Sequence, residues 1–221
     1  MIPGNDSSLF RSRCRIGGVA MLLAAWLGPV AGAVAAGEYN RVLDIGDPAP
    51  AWQGLPGVDG KDHSLADLRE RGAVVLVFTC NSCPYAVDVE DRLVALADDL
   101  RARDVAVVAV NVNQVPEDSP EAMKRKAEAK DFRFPYLFDE TQQIARDYGA
   151  TTTPEWFVLD GQRRIAYMGS LDDSPDGSQV TRRYVRAAVD SVLQGNAPEV
   201  TETIPIGCRI RFERVRGGRR R

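Results

Sequence analysis

One stretch narrows the folds open to this chain more than any other. Ala73 to Phe78 (AVVLVF) is apolar at every position and runs straight into Thr79-Cys80-Asn81-Ser82-Cys83-Pro84. A strand with one face in water alternates apolar and polar residues, whereas a strand with no polar position has both faces covered. Pro84 then opens a segment to Arg103 in which Val87, Leu93, Val94, Leu96 and Leu100 recur mainly at helical spacing, and Pro suits the first helical turn. A buried strand, a short polar turn holding two cysteines and a helix together predict a layered α/β domain.

The rest of the chain alternates in the same way. Gly57 to Lys61 predicts a hairpin turn in an amino-terminal extension, and Ser64 caps a short helix reaching Arg71. Val105 to Val112 reads as a second buried strand. Ser119-Pro120-Glu121 opens a charged helix to about Lys130, Tyr136 to Phe138 is a short strand, and Glu140 to Tyr148 is a helix stopped by Gly149. Thr153-Pro154 leads into Trp156 to Leu159, which the Asp160-Gly161 turn joins to Arg164 to Met168. Val180 to Leu193 closes with an amphipathic helix.

The two ends differ from this body. Arg11, Arg13 and Arg15 precede Ile16 to Ala36, a segment without a single charge that ends in small residues. A basic start, an apolar middle and a small-residue end are the parts of a secretory signal peptide, with cleavage expected near Ala35 or Ala36. The boundaries are therefore a signal peptide over 1–36, one domain over 37–212 and a basic, disordered tail over 213–221. The predicted location is periplasmic or secreted, with membrane contact only if the leader stays uncleaved. The formal net charge of −3 is the residue of two basic ends and an acidic middle. An acidic body does not neutralise phosphates, so nucleic acid is excluded as a partner.

The chemistry concentrates in the cysteines. The chain has 4 Cys, and Cys14 leaves with the leader, so Cys80, Cys83 and Cys208 remain in an oxidising compartment. Cys80 and Cys83 are spaced to close a disulfide, and a helix amino terminus beside them supplies positive potential that favours a thiolate. Cys80, at the junction, is expected to be the more exposed sulfur and to attack, with Cys83 resolving. The competing readings are an inert bridge or half of a zinc site completed by Cys208 and His63, neither of which comes as a pair of ligands.

These residues resemble the thioredoxin-fold redoxins of the alkyl-hydroperoxide-reductase/thiol-specific-antioxidant (AhpC/TSA) and TlpA-like kind, and more narrowly the peroxiredoxin-like thioredoxin family proteins. Four stretches between about Gly46 and Phe212 carry the likeness: Phe78 to Tyr85, Thr153-Pro154, Gly169 to Ser174, and Gly207-Cys208-Arg209-Ile210. The resemblance implies a thioredoxin-like α/β fold, a central mixed sheet flanked by helices, with an amino-terminal β extension and a helical insertion. It implies a cis Thr153–Pro154 bond that faces the Cys pair and leaves an edge for substrate backbone, and no cofactor. The implied activity is an extracytoplasmic thiol–disulfide oxidoreductase acting on protein or small-molecule thiols and disulfides, with an extracytoplasmic electron donor or acceptor. The alternative is a redox-sensing or metal-handling protein on the same fold.

The departures from the family matter too. Peroxiredoxins place Pro, then Thr or Ser, seven and three positions before the attacking Cys. Those positions hold Leu76 and Cys80 before Cys83, and Ala73 and Val77 before Cys80, which argues against a thiol peroxidase. Thioredoxin's buried Asp is replaced by Val74, so Glu155, Asp88 or Glu90 is left to take its place, although exposed salt-bridging is the expected role of each. Cys208, Ile210 and Phe212 alternate with Arg209 and Arg211, which predicts a final extended segment with Cys208 facing inward. Two readings of Cys208 stay open: a third redox-active thiol, or a small core residue.

Overall fold

All six side chains of Ala73–Phe78 are buried, as the unbroken apolar run requires, because helices cover both faces of the strand they form. The computed structural model describes residues 37–213; the expected signal peptide over 1–36 and residues 214–221 of the expected tail lie outside the described residues. In chain order the elements are β1 (Leu55–Pro56), β2 (Asp62–His63), β3 (Ala73–Phe78), α1 (Pro84–Arg101), β4 (Val105–Asn111), α2 (Pro120–Ala129), β5 (Tyr136–Phe138), α3 (Gln143–Asp147), β6 (Thr152–Thr153), β7 (Glu155–Leu159), β8 (Ile165–Gly169), α4 (Tyr184–Leu193) and β9 (Cys208–Arg209).

The central sheet has the order β5-β4-β3-β7-β8. β3, β4 and β5 run parallel, and β7 and β8 are antiparallel to their neighbours, so the sheet is mixed. Parallel neighbours need a crossover. α1 carries the chain from β3 to β4 and α2 from β4 to β5; the helical insertion is this second crossover. β1 and β2 form the amino-terminal hairpin, with Leu55 opposite His63.

The period of two along β3 sorts its side chains between two cores. Val75 and Val77 pack with Leu93, Leu100, Val185 and Val189 from α1 and α4. Val74, Leu76 and Phe78 pack on the other face with Trp52, Leu65, Tyr148 and Phe157. Phe78, Tyr148 and Phe157 meet edge to face, with ring centroids 5.3–5.7 Å apart.

Two helices start later than their sequence predicts. Instead of Glu140–Tyr148, α3 is Gln143–Asp147, because Thr141 bonds Asp139 through both its N–H and its hydroxyl and Gln142 takes a left-handed φ of 59°. Instead of starting at Val180, α4 starts at Tyr184. There Thr181 is held on the Asp173 carboxylate by its N–H and its hydroxyl, so residues 180–183 stay out of the helix. In both cases a side-chain bond competes with the first helical turn.

Candidate active site

β3 ends and α1 begins across the dithiol. Cys83 is the amino-terminal cap of α1, and Pro84 occupies the first helical position. There it needs no N–H partner, and its fixed φ starts the helix one residue past the sulfur. Both cysteines are buried, Cys80 to 4% exposure and Cys83 to 2%. The expectation that Cys80 is the more exposed sulfur meets only a small margin: Cys80 lies two residues past the end of β3, inside the fold, and exposure barely separates the two thiols.

A carboxylate that the sequence reading did not single out holds the turn between them. Asp118 is fully buried. It accepts hydrogen bonds from the N–H groups of Asn81 (2.6 Å) and Ser82 (2.9 Å) and from the Ser82 hydroxyl (2.6 Å). Asn81 also donates to the Glu117 carbonyl and accepts from the Tyr136 hydroxyl. Charge-assisted bonds to two consecutive amides fix the Cys80–Cys83 turn more firmly than neutral ones would. In the sequence Asp118 is one acid in a polar loop, and only the fold of the β4–α2 connection turns it inward.

The expected substitutes for a buried acid have other partners. Glu155 and Glu90 are each 4% exposed, so both are buried rather than exposed. Glu155 accepts from the N–H groups of Thr151 and Thr152 and from the Thr152 hydroxyl; it anchors the chain ahead of Pro154, and burial raises its pKa. Glu90 pairs with Lys126 at 3.1 Å, and Asp88 is exposed. His63 pairs with Asp59 at 3.1 Å. Among the described residues no group of three His, Cys, Asp or Glu side chains is placed to hold a metal ion.

Opposite the dithiol, the Thr153–Pro154 bond is cis. The Thr153 hydroxyl lies 3.3 Å from Cys80 Sγ, and the Cys83 thiol reaches the Thr153 carbonyl at 2.9 Å. The strand edge beside this bond is not open. β9 pairs antiparallel with β6, placing Cys208 opposite Thr153 and Arg209 opposite Thr152, and Ile210 donates to the Thr151 carbonyl. The expected substrate-facing edge is thus filled by the chain's own carboxy-terminal segment. Gly207 explains the fit: a Cβ there would stand 2.2 Å from the Thr153 carbonyl oxygen and 3.0 Å from Pro154 N. The predicted alternation of this segment holds, with Ile210 buried, Cys208 and Phe212 partly buried, and Arg209 and Arg211 exposed. Cys208 packs against Cys80, Cys83 and Ala86, so three thiols meet at one end of α1.

The pKa values of the two sulfurs move apart, that of Cys83 down and that of Cys80 up. The carbonyl of Thr153 favours a protonated Cys83, but the Cys80 thiol, the Cys208 side chain and the N–H groups of Ala86 and Cys208 all favour its thiolate. Burial also opposes ionisation of Cys83, but the hydrogen bonds to its sulfur, that from Cys80 first, outweigh it, and the Cys83 pKa is pulled down. Cys80 moves the other way: it gives its hydrogen bond to Cys83, is desolvated and faces the Asp118 charge. Cys208 is raised to about 11 by burial and by the negative Cys83 sulfur. The arrangement suits one thiolate, at the helix cap, with a protonated thiol on either side.

The chain is similar to known proteins in sequence and fold. The AhpC/TSA family profile matches residues 45–168, from the amino-terminal extension through β8, including the dithiol and the cis bond. The chain belongs to the AhpC/TSA family. A hypothetical protein of Sinorhizobium meliloti 1021 is 34% identical with a TM-score of 0.73, covering 79% of this chain and 97% of that one. A conserved protein of Geobacillus kaustophilus is 38% identical, also with a TM-score of 0.73, covering 79% of this chain and 95% of its own. The peroxiredoxin Bcp of Escherichia coli K12 is 26% identical over 136 residues, 59% of this chain and 81% of its own length. As an AhpC/TSA redoxin with a thioredoxin-like fold, the chain is a member of a redox-enzyme family.

Proposed function

We propose that this redoxin is an extracytoplasmic thiol–disulfide oxidoreductase that cycles Cys80 and Cys83 between dithiol and disulfide. The observation that carries the reading is the placement of the dithiol: two buried cysteines, one of them capping α1, face the cis Thr153–Pro154 bond with Cys208 packed beside them, an arrangement that suits thiol–disulfide exchange. Attack is assigned to Cys83, reversing the order expected from position alone, because Cys83 caps α1, where positive potential favours a thiolate, and its pKa is pulled down while that of Cys80 is pushed up. Export is supported by the charge-free segment Ile16 to Ala36 behind three arginines.

The test is a redox titration against a glutathione couple, quenched in acid and mapped by peptide mass. The expected product is a reversible Cys80–Cys83 disulfide. Tight copper or zinc binding by the reduced protein without that bond would favour a metal-handling protein. Stoichiometric consumption of hydroperoxide at a rate well above that of disulfide exchange would favour a peroxidase, the activity named for the Escherichia coli relative. Intact mass of protein recovered from the cell envelope tests export; a chain still carrying Met1 would overturn it.

A further inference from the structure

We propose that the carboxy-terminal strap is a built-in substrate strand, and that Cys208 is the port through which small disulfides and thiols exchange with Cys83. The proposal rests on the cycling of Cys80 and Cys83 and adds the route and the class of substrate.

Three observations carry it. The first is register. An extended substrate adding to the edge at β6 would need the places opposite Thr152 and Thr153, and β9 already fills them, with Ile210 bonded to the Thr151 carbonyl. Gly207 lets that segment approach the Thr153 carbonyl and Pro154 N more closely than any side chain allows. A foreign polypeptide strand has no place to pair. The second is contact. The register puts Cys208 opposite Thr153, whose carbonyl is 2.9 Å from the Cys83 sulfur, and Cys208 packs on the dithiol cluster. Cys208 therefore stands where the thiol of a strand-bound substrate would be presented. The third is access. Cys80 and Cys83 are sealed, at 4% and 2% exposure, whereas Cys208 is partly exposed. A reagent from solution meets Cys208 first.

The steps balance as ordinary exchange. Cys208, protonated at rest, gives its proton to solvent as its sulfur attacks a small disulfide RSSR, forming Cys208–S–S–R and releasing RS⁻, which takes up that proton. The Cys83 thiolate attacks the Cys208 sulfur, forming Cys83–S–S–Cys208 and expelling a second RS⁻, protonated by water. Cys80 then attacks Cys83, the Cys80–Cys83 bond forms, and Cys208 leaves with the proton of Cys80. Two protein thiols are oxidised and one RSSR is reduced to two thiols. Run backwards, a small thiol attacks the exposed Cys208 sulfur and expels Cys83, whose low pKa makes it the better leaving group.

The experiment uses the full chain, with oxidised glutathione as the probe. In Cys80→Ser the last step is blocked, and acid quenching should reveal a Cys83–Cys208 disulfide with no glutathione retained. A glutathione adduct on Cys83 beside a free Cys208 thiol would overturn the proposal. Cys208→Ser should slow formation of the Cys80–Cys83 disulfide at least tenfold relative to wild type; an unchanged rate would also overturn it. A disulfide carried in an unfolded polypeptide should oxidise the wild type at least tenfold more slowly than oxidised glutathione, and equal rates would refute the substrate class. If the wild type forms no Cys80–Cys83 disulfide in the same titration, the parent reading has failed instead.

Discussion

Replacing Gly207 with Ala puts a methyl group into the tightest contact between the strap and the dithiol. The new Cβ would stand 2.2 Å from the Thr153 carbonyl oxygen and 2.6 Å from its carbon. These are backbone atoms, which cannot rotate away as a side chain end can. Two responses compete. Complete release of the strap would give up the Ile210 N–H bond to Thr151, about 0.5–1.5 kcal/mol net, and the burial of Ile210, about 1.5–3 kcal/mol. It would also release Phe212 from under the Arg146 guanidinium at 4.3 Å and break the bond that Gln142 donates to the Arg211 carbonyl and the one it accepts from the Glu213 N–H. A local shift at residue 207 with those anchors kept costs about 1–3 kcal/mol, the usual range for overpacking. The smaller cost wins, so the segment should bow outward at Cys208 while Ile210 stays seated. Thermal unfolding should show Tm lowered by about 2–12 °C, at roughly 2–4 °C per kcal/mol for a domain of this size, and Cys208 should react severalfold faster with iodoacetamide. Gly177→Ala is the control, since its methyl would meet only the Arg92 side chain at 3.6 Å, and it should change stability by less than about 0.5 kcal/mol. A Gly207→Ala protein as stable as that control, with Cys208 no more reactive, would refute the close approach as the fastener of the strap.

Thiolate absorbance of the reduced protein should show one sulfur ionising well below the ordinary thiol value of about 8.5, and Cys83→Ser should abolish that step; a first ionisation at the ordinary value would contradict the cap electrostatics. Because the folded pKa of Cys83 is lowered, the stability it contributes is fully present above the unfolded thiol pKa and is lost as pH falls through the folded one. Denaturant melts should accordingly show reduced wild type gaining on Cys83→Ser as pH rises between those two values, and a gap that narrows with rising pH would reverse the sign. Asp118→Asn removes the charge facing Cys80 and the acceptor of the Ser82 hydroxyl. It should cost about 1–3 kcal/mol and bring the second thiol ionisation to lower pH, while an unmoved second ionisation would show that Asp118 only braces the turn.

The strand–turn–helix unit was legible in the sequence because its signals are local. Six consecutive apolar residues admit only a strand covered on both faces, and Pro84 marks the helix start whatever surrounds it. The two cysteines sit between those signals, so their placement at the end of the central strand needed no tertiary information. The last segment was partly legible in the same way, since the alternation of Cys208, Ile210 and Phe212 predicts which side chains turn inward.

What decides the chemistry was not local. Position along the chain points to Cys80 as the attacking sulfur, but burial of both sulfurs and the Asp118 carboxylate depend on residues 35 positions and more away in sequence. Nothing within the polar loop around Asp118 distinguishes it from its exposed neighbours. The ends of α3 and α4 were misplaced because side-chain bonds from Thr141 and Thr181 outcompete helix propensity there. The edge beside Thr153–Pro154 appeared free, because a sequence shows that Pro154 cannot donate a ladder bond but not which segment arrives to pair with the residues before it. Pairing between β6 and β9 joins residues more than 50 positions apart, and only the folded chain, by bringing Gly207 onto the Thr153 carbonyl, closes that edge and sets a third thiol against the other two.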